Sequence, residues 1–304
     1  KVQKARLFFN NEKGRQFEIF CLHPYEKNDK THISYAKYEC LVKGIKKLKL
    51  NEELIFNDVF EAKKLELKAK FIGRKAAHAI IEFSWNIEEL SFEKILDEFG
   101  NIPLPPYIKR EININDNYRY QTIYAHEYGS VAAPTAGLHF TNAVIEKLIK
   151  SNINFVEVIL HVGLGTFKPL QDNNLRQHLM HSEYFTVTKD TIDALLANHN
   201  NSIIAVGTTT LRTLESLYLL AHQPLIEKQS FFNIKQWETD EIKSFLPPIE
   251  AWQKLAEYMA RYQLLSIHGT TSLMITPAYR CKSIDYIITN FHQPNSTLLL
   301  IVSS

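Results

Sequence analysis

Ile203-Ile204-Ala205-Val206-Gly207-Thr208-Thr209-Thr210-Leu211-Arg212-Thr213-Leu214-Glu215-Ser216-Leu217-Tyr218 is the stretch on which the fold class turns. Residues 203–206 form a short apolar run of the strand kind, and from 209 to 221 the apolar positions Leu211, Leu214, Leu217 and Tyr218 recur at helical spacing. A strand that passes through one glycine into a helix is the joint of an α/β domain. Upstream, 153–162 and 183–187 read as strands and 188–197 as a helix. Strands alternating with helices predict a largely parallel sheet whose ligands sit at the carboxyl ends of the strands. Five of the ten glycines stand at 129, 137, 163, 165 and 207, three of them directly after a strand, which favours a site there.

Two familiar phosphate motifs nearly match and fail. Gly163-Leu-Gly-Thr-Phe-Lys168 lacks a third glycine and no helix pattern follows at once, so it is no dinucleotide fingerprint. Gly207-Thr208-Thr209-Thr210 has no Gly-Lys-Ser/Thr ending and is no Walker loop. Thr208 and Thr209 can still offer hydroxyls and N–H groups to a ribose or carboxylate, with Arg212 one turn into the helix. The plainer alternative has these threonines capping the helix and Arg212 pairing with Glu215 at the surface.

A second small-residue stretch, Gly129-Ser-Val-Ala-Ala-Pro-Thr135-Ala-Gly137-Leu-His139-Phe-Thr141, precedes the amphipathic pattern Val144, Ile145, Leu148, Ile149 and reads as a loop entering a helix. Small residues let a ligand approach the backbone closely. His126, His139, His161, His178 and His181 lie within 56 positions, and His178-x-x-His181-x-Glu183 has a spacing a metal could use. No cysteine or further carboxylate with matching spacing completes such a site, so no metal is expected, and His181 and Glu183 are read as polar site residues or as a hydrogen-bonded pair at the strand end. Near the end, Ile288-Thr-Asn290-Phe-His292-Gln-Pro294 places Asn290 and His292 after another strand.

The first 85 residues have a different character. Short runs at 5–9, 17–22, 38–42, 53–56, 65–71 and 78–83, separated by turn residues, suggest a small antiparallel barrel or sandwich. Between Lys37 and Lys75 eleven Lys or Arg, among them Lys43, Lys46 and Lys47, face six acids, so this region can carry a basic face that follows a phosphate backbone or simply a solvated surface. An acidic helical segment over 86–99 is taken as the domain junction, giving units 1–88 and 89–304. The prolines at 103, 105 and 106 then impose an extended path that carries Tyr107, Lys109 and Arg110.

The whole chain, 304 residues with 35 basic against 33 acidic side chains, has an ordinary globular composition and only local basicity. Cys21, Cys40 and Cys281 form neither a disulfide framework nor a zinc motif, and a reducing cytoplasm fits them. No window reaches 18 consecutive apolar residues, so no membrane-spanning helix is expected. The chain begins without methionine and ends after an apolar run, as a fragment of a longer protein would.

Seven segments in order resemble the signature blocks of the S-adenosylmethionine:tRNA ribosyltransferase-isomerase family of queuosine biosynthesis: 102–110, Arg119-Tyr-Gln-Thr-Ile-Tyr-Ala125, 131–141, His161-Val-Gly-Leu-Gly-Thr-Phe167, Met180-His-Ser-Glu-Tyr184, 206–216, and 288–294 with Ser296-Thr-Leu-Leu299. The resemblance implies an α/β domain with an inserted six-stranded antiparallel β-barrel, part of the main domain lying before residue 1. It implies transfer and isomerisation of the ribosyl part of S-adenosylmethionine onto 7-aminomethyl-7-deazaguanine at the tRNA wobble position, releasing adenine and methionine and forming epoxyqueuosine. S-adenosylmethionine is then a substrate, and no cofactor or metal is needed.

On that resemblance His139, His181 and His292 are the candidates for proton transfer, with Glu183 orienting an imidazole or facing the sulfonium. Thr135, Gly137, Gly163, Gly165, Thr208, Thr209, Arg212 and Asn290 would hold the substrate, and Lys43, Lys46, Lys47, Lys109 and Arg110 the tRNA. The partners expected are tRNA and S-adenosylmethionine, with no membrane, for a monomer or weak homo-oligomer. The chain departs from the family pattern at Leu160, Lys168, Gln293 and Asn295, and at 222–268, an insertion whose helix over 248–265 is expected to pack at the surface. Two rival readings are a paralogue that binds RNA without catalysis and an enzyme that uses S-adenosylmethionine as a methyl donor, the latter disfavoured by the lack of a Gly-rich loop after a first strand.

Overall fold

The computed structural model describes residues 1–304 except 26–33, 76–77, 106–107, 109, 114, 128, 164–174, 293 and 295. The chain forms two compact units, Val2–Tyr118 and Arg119–Ser304, Lys1 belonging to the second.

In the first unit the strands β1 (Arg6–Asn10), β2 (Gln16–Pro24), β3 (Tyr35–Lys43), β4 (Glu53–Phe60), β5 (Lys63–Lys75) and β6 (His78–Trp85) close into an antiparallel barrel in the order β1-β2-β3-β6-β5-β4. Period-two patterning selects the inside: in β5, Leu65, Leu67, Ala69 and Phe71 are buried, while Lys64, Glu66, Lys68 and Lys70 face outward. All six expected strands are present, and the choice left open between barrel and sandwich falls to the barrel.

The helix over the acidic segment, α1 (Phe92–Phe99), is capped by Ser91 Oγ, which accepts from Lys94 N at 3.2 Å. It is not a junction. Phe92 lies 4.5 Å from Phe83 and 4.8 Å from Tyr38 between ring centroids, and Phe99 lies 5.6 Å from Phe56. These contacts hold α1 in the barrel unit, so the division falls at 118/119 rather than at 88/89. The short helix α2 (Asp116–Arg119) spans that division.

The second unit contains α3 (Asn142–Lys150), β7 (Ile159–His161), β8 (Glu183–Thr188), α4 (Lys189–Ala197), β9 (Ile204–Val206), α5 (Thr208–Leu220), β10 (Phe231–Ile234), α6 (Glu238–Glu241), α7 (Pro248–Tyr262), β11 (Ser266–Thr271), β12 (Tyr286–Ile288) and α8 (Thr297–Val302). Here the expectation of a largely parallel sheet is not confirmed. The four-stranded sheet β10-β11-β8-β7 is mixed, parallel only at β10–β11, and β9 and β12 form a separate parallel pair. The physical reason is that alternation in sequence reports connections, not partners. β8 and β9, joined by α4, lie in different sheets. The strand expected over 153–162 is also reduced to three residues.

Helix α7 departs from expectation as well. Trp252, Leu255 and Met259 are fully buried in one core with Leu217 and Tyr218 of α5 and Val187 and Ile267 of the sheet. Residues 222–268 therefore supply β10 and a core helix instead of a surface addition.

At the end of α5, His222 Nδ1–H donates to Tyr218 O at 3.0 Å, while its Nε2 accepts from Leu246 N at 2.9 Å. That acceptor must be unprotonated, and burial, the leading cause, lowers the His222 pKa below its ordinary 6.5. The unfolded chain then takes up the proton more readily, so stability is full above about pH 6.5 and is lost as pH falls toward the lowered folded value. Urea midpoints measured across this range should fall with pH, and His222→Gln should flatten the fall. Phe92→Ala should lower the barrel's stability by about 3–5 kcal/mol in the same assay.

Candidate functional site

Three charged or titratable side chains meet in the second unit. Arg212, on the first turns of α5, and Glu183, the first residue of β8, are each 2% exposed and form an ion pair through Nη2 and Oε2. His181 Nε2 stands 3.1 Å from Glu183 Oε1 and 3.4 Å from Arg212 Nη2. Arg212 is positioned further through its own carbonyl, which accepts from Ser216 Oγ at 2.6 Å, and Ser216 Oγ is 2.7 Å from the buried Thr271 Oγ1. The Nε of Arg212 finds no partner among the described residues. The surface pair of Arg212 with Glu215 does not occur. Glu215 is fully buried and accepts from the Tyr279 hydroxyl, from Lys282 N, and from Ser283 N and Oγ at 3.0 and 2.6 Å.

A second constellation forms where the carboxyl ends of the paired strands β9 and β12 lie together. Gly207 N donates to Ile288 O at 2.8 Å, and Gly207, with φ at 96°, turns the chain into α5 in a conformation that L side chains rarely adopt. No side chain caps this helix, so the threonines do not serve as its cap, although Thr208 and Thr209 are buried and Thr210 Oγ1 bonds Val206 O. The 3₁₀ turn Thr135–His139 arrives beside Gly207, with Ala136 Cβ 3.9 Å from where a Gly207 Cβ would be. At its end His139 Nε2 is 2.8 Å from Asn290 Oδ1. His292 Nε2 is 2.8 Å from Thr289 Oγ1, and burial lowers the His292 pKa below 6.5, which keeps the ring neutral near pH 7.

The other expected residues distribute unevenly. A Cβ at Gly137 would overlap the Tyr124 hydroxyl, so that glycine already serves packing, whereas no described residue lies within 4 Å of a Cβ at Gly163. Thr135 is half-buried in the 3₁₀ turn. In the barrel unit Lys43, Lys46 and Lys47 are exposed, and Arg110 is engaged by both carboxylate oxygens of Asp116 at 2.6 and 2.7 Å. Gly165, Lys109, Tyr107, Lys168, Gln293 and Asn295 lie outside the described residues. Among the described residues no group of three or more His, Cys, Asp or Glu has a geometry that could hold a metal ion.

The sequence offered His181 and Glu183 as a hydrogen-bonded pair, and they are one at 3.1 Å, whereas the pairings of Glu183 with Arg212 and of His139 with Asn290 were not foreseen. Glu215 was overlooked as a buried group. Its signal was an acid set among Leu211, Leu214 and Leu217 on a helix with no polar face wide enough to take it to water.

Comparison with known proteins bears on this arrangement. The family model described as queuosine biosynthesis protein matches residues 1–304. An S-adenosylmethionine:tRNA ribosyltransferase-isomerase of Finegoldia magna is 36% identical over 307 residues, which takes in all of this chain and 72% of the relative. The protein of the same name from Thermotoga petrophila is 38% identical over 307 residues, with the same shares. That of Prochlorococcus marinus is 37% identical over 309 residues, covering all of this chain and 70% of the relative. No solved structure matches the chain.

Because Arg212 and Glu183 are desolvated together, removing one charge leaves the other buried and uncompensated. Arg212→Met should cost about 3–5 kcal/mol of stability by urea unfolding, and the double variant Glu183→Gln/Arg212→Met should recover part of that loss.

Proposed function

The chain belongs to the queuosine biosynthesis protein family, and on that premise we propose that it is an S-adenosylmethionine:tRNA ribosyltransferase-isomerase. It transfers and isomerises the ribosyl moiety of S-adenosylmethionine onto 7-aminomethyl-7-deazaguanine at the wobble position of tRNA, giving epoxyqueuosine and releasing adenine and methionine. The observation that carries this reading is the match over the whole chain to relatives that bear that name at 34 to 38% identity. S-adenosylmethionine is the substrate, and the reaction runs without a cofactor in the cytoplasm, on a monomer or weak homo-oligomer. Among the described residues no helix is long and apolar enough to cross a membrane. The barrel is an insertion into the α/β unit, as the family resemblance implies.

The chemistry needs a base for a proton beside the sulfonium, an acid for the departing adenine, and a neutral attacking amine. With Asn290 Oδ1 accepting from His139 Nε2–H, the His139 Nδ1 is the ring's basic nitrogen, turned by that bond into a fixed orientation. His292 acts as a second neutral imidazole at the same strand ends. Glu183 orients His181 and balances Arg212, so the three work as one unit. Thr135, Thr208 and Thr209 supply hydroxyls and N–H groups to the ribose or the methionine carboxylate, and Gly163, without a side chain, lets the substrate approach the backbone closely. Lys43, Lys46, Lys47, Lys109 and Arg110 contact the tRNA backbone.

Incubation with S-adenosylmethionine and a tRNA carrying 7-aminomethyl-7-deazaguanine should release adenine and yield epoxyqueuosine by mass spectrometry. Tight tRNA binding without adenine release would instead identify the non-catalytic RNA-binding paralogue, and a methylated base a methyl transferase. His139→Ala and His181→Ala should each reduce turnover by about 10²-fold or more with the fold intact. Near-normal rates in both would overturn the proton-transfer roles.

A further inference from the structure

The sheet β10-β11-β8-β7 has two very different faces. One carries Phe185, Val187, Ile267 and Ile234 into the core shared with α4, α5 and α7. The opposite face carries rings on every strand: His161 on β7, Tyr184 on β8, His268 on β11 and Phe231 on β10. His161 stands directly across from Tyr184, and His268 directly across from Phe231. The Tyr184 ring is 5.2 Å from His161, 6.4 Å from His268 in a stacked orientation, and 6.1 Å from Phe231. Phe231 is 53% exposed.

A solvated sheet face in this same protein looks different, since the outward positions of β5 are Lys64, Glu66, Lys68 and Lys70. The face over β8 bears no Lys, Arg, Asp or Glu on any of its four strands. Its rings are also held in place. His268 Nδ1 is 2.8 Å from Thr186 Oγ1 and 3.2 Å from the Tyr184 hydroxyl, and its Nε2 is 2.9 Å from Ser266 Oγ. Burial lowers the His161 pKa, so that ring is neutral at pH 7. Flat rings on a four-stranded sheet face whose strands place no Lys, Arg, Asp or Glu on it suit the π-faces of nucleobases. The strands place no carboxylate of their own on this face, and beside it the chain's first amino group and Glu127 both lie near enough to act on His161.

We propose that this face is a stacking platform for unpaired bases of the RNA substrate, with Tyr184 and Phe231 as its principal rings. The inference rests on the tRNA-modifying function above and adds a surface that touches loop bases rather than the reacting atoms. Phosphate contacts position an RNA, whereas splayed, stacked bases distinguish a single-stranded loop from a duplex. Tyr184 adjoins Glu183 in the chain but points to the other face, so the platform and the buried ion pair share a strand without sharing a surface.

The test is fluorescence anisotropy of the whole chain with a labelled RNA hairpin bearing a tRNA anticodon loop and, separately, with a duplex of the same stem. Tyr184→Ala and Phe231→Ala should each weaken hairpin binding by about five-fold or more, leave duplex binding unchanged, and leave the thermal melt unchanged. Tyr184→Phe, which keeps the ring, should bind like the wild type. Wild-type release of adenine together with unaltered hairpin affinity in both alanine variants overturns the platform and leaves the transferase reading standing. Equal losses on hairpin and duplex also overturn it, since stacking needs unpaired bases. Failure of the wild type to release adenine from S-adenosylmethionine and modified tRNA overturns the underlying function instead.

Discussion

The buried ion pair between Arg212 and Glu183 is the constraint on which the second unit depends. Both side chains are 2% exposed, and taking two charges out of water is costly unless each finds the other with good geometry. The pair therefore dictates where α5 begins relative to the first residue of β8. Ser216 and Thr271 tie the same helix to β11, and Glu215, on the next face of α5, gathers donors from 279–283. A helix otherwise buried on nearly all sides is thus registered by polar contacts, since apolar packing alone tolerates sliding and rotation more readily.

That registration places two histidines at different depths. His181 lies at the edge of the buried pair, within reach of both its charges. His139 is exposed and tethered by Asn290, at the strand ends where Gly207 opens α5. The contrast suits a reaction that needs one group held rigidly and another able to meet the substrate. The first unit follows a different logic, since among its described residues no ion pair has both partners buried. Aromatic rings from β1, β3, β6 and α1 fill the barrel, which is closed through β1 and β4.

Much of this was legible in the chain, and unevenly so. The six barrel strands were readable because each is a short alternating run between turn residues, and the alternation survives into the structure as inside and outside. α3, α4, α5 and α7 were readable for the corresponding reason at helical period. α1 was found but misplaced, because an acidic outer face says nothing of what Phe92 on its inner face will touch. The sheet of the second unit was misread because a strand followed by a helix followed by a strand names the connection and leaves the partner open. The same ambiguity hid α7 in the core: Trp252, Leu255 and Met259 mark an apolar stripe but not whether that stripe is peripheral or central.

The sequence by itself determined the kinds of elements, the family, and the residue types available for the chemistry, because periodicity, turn residues and ordered motifs are local properties of the chain. Only the tertiary structure decided which groups meet. His139 and Asn290 are 151 positions apart, and His181 and Arg212 are 31 apart. Their meeting depends on strand order and on the burial of a charge pair, and both are set by long-range packing that no local window contains.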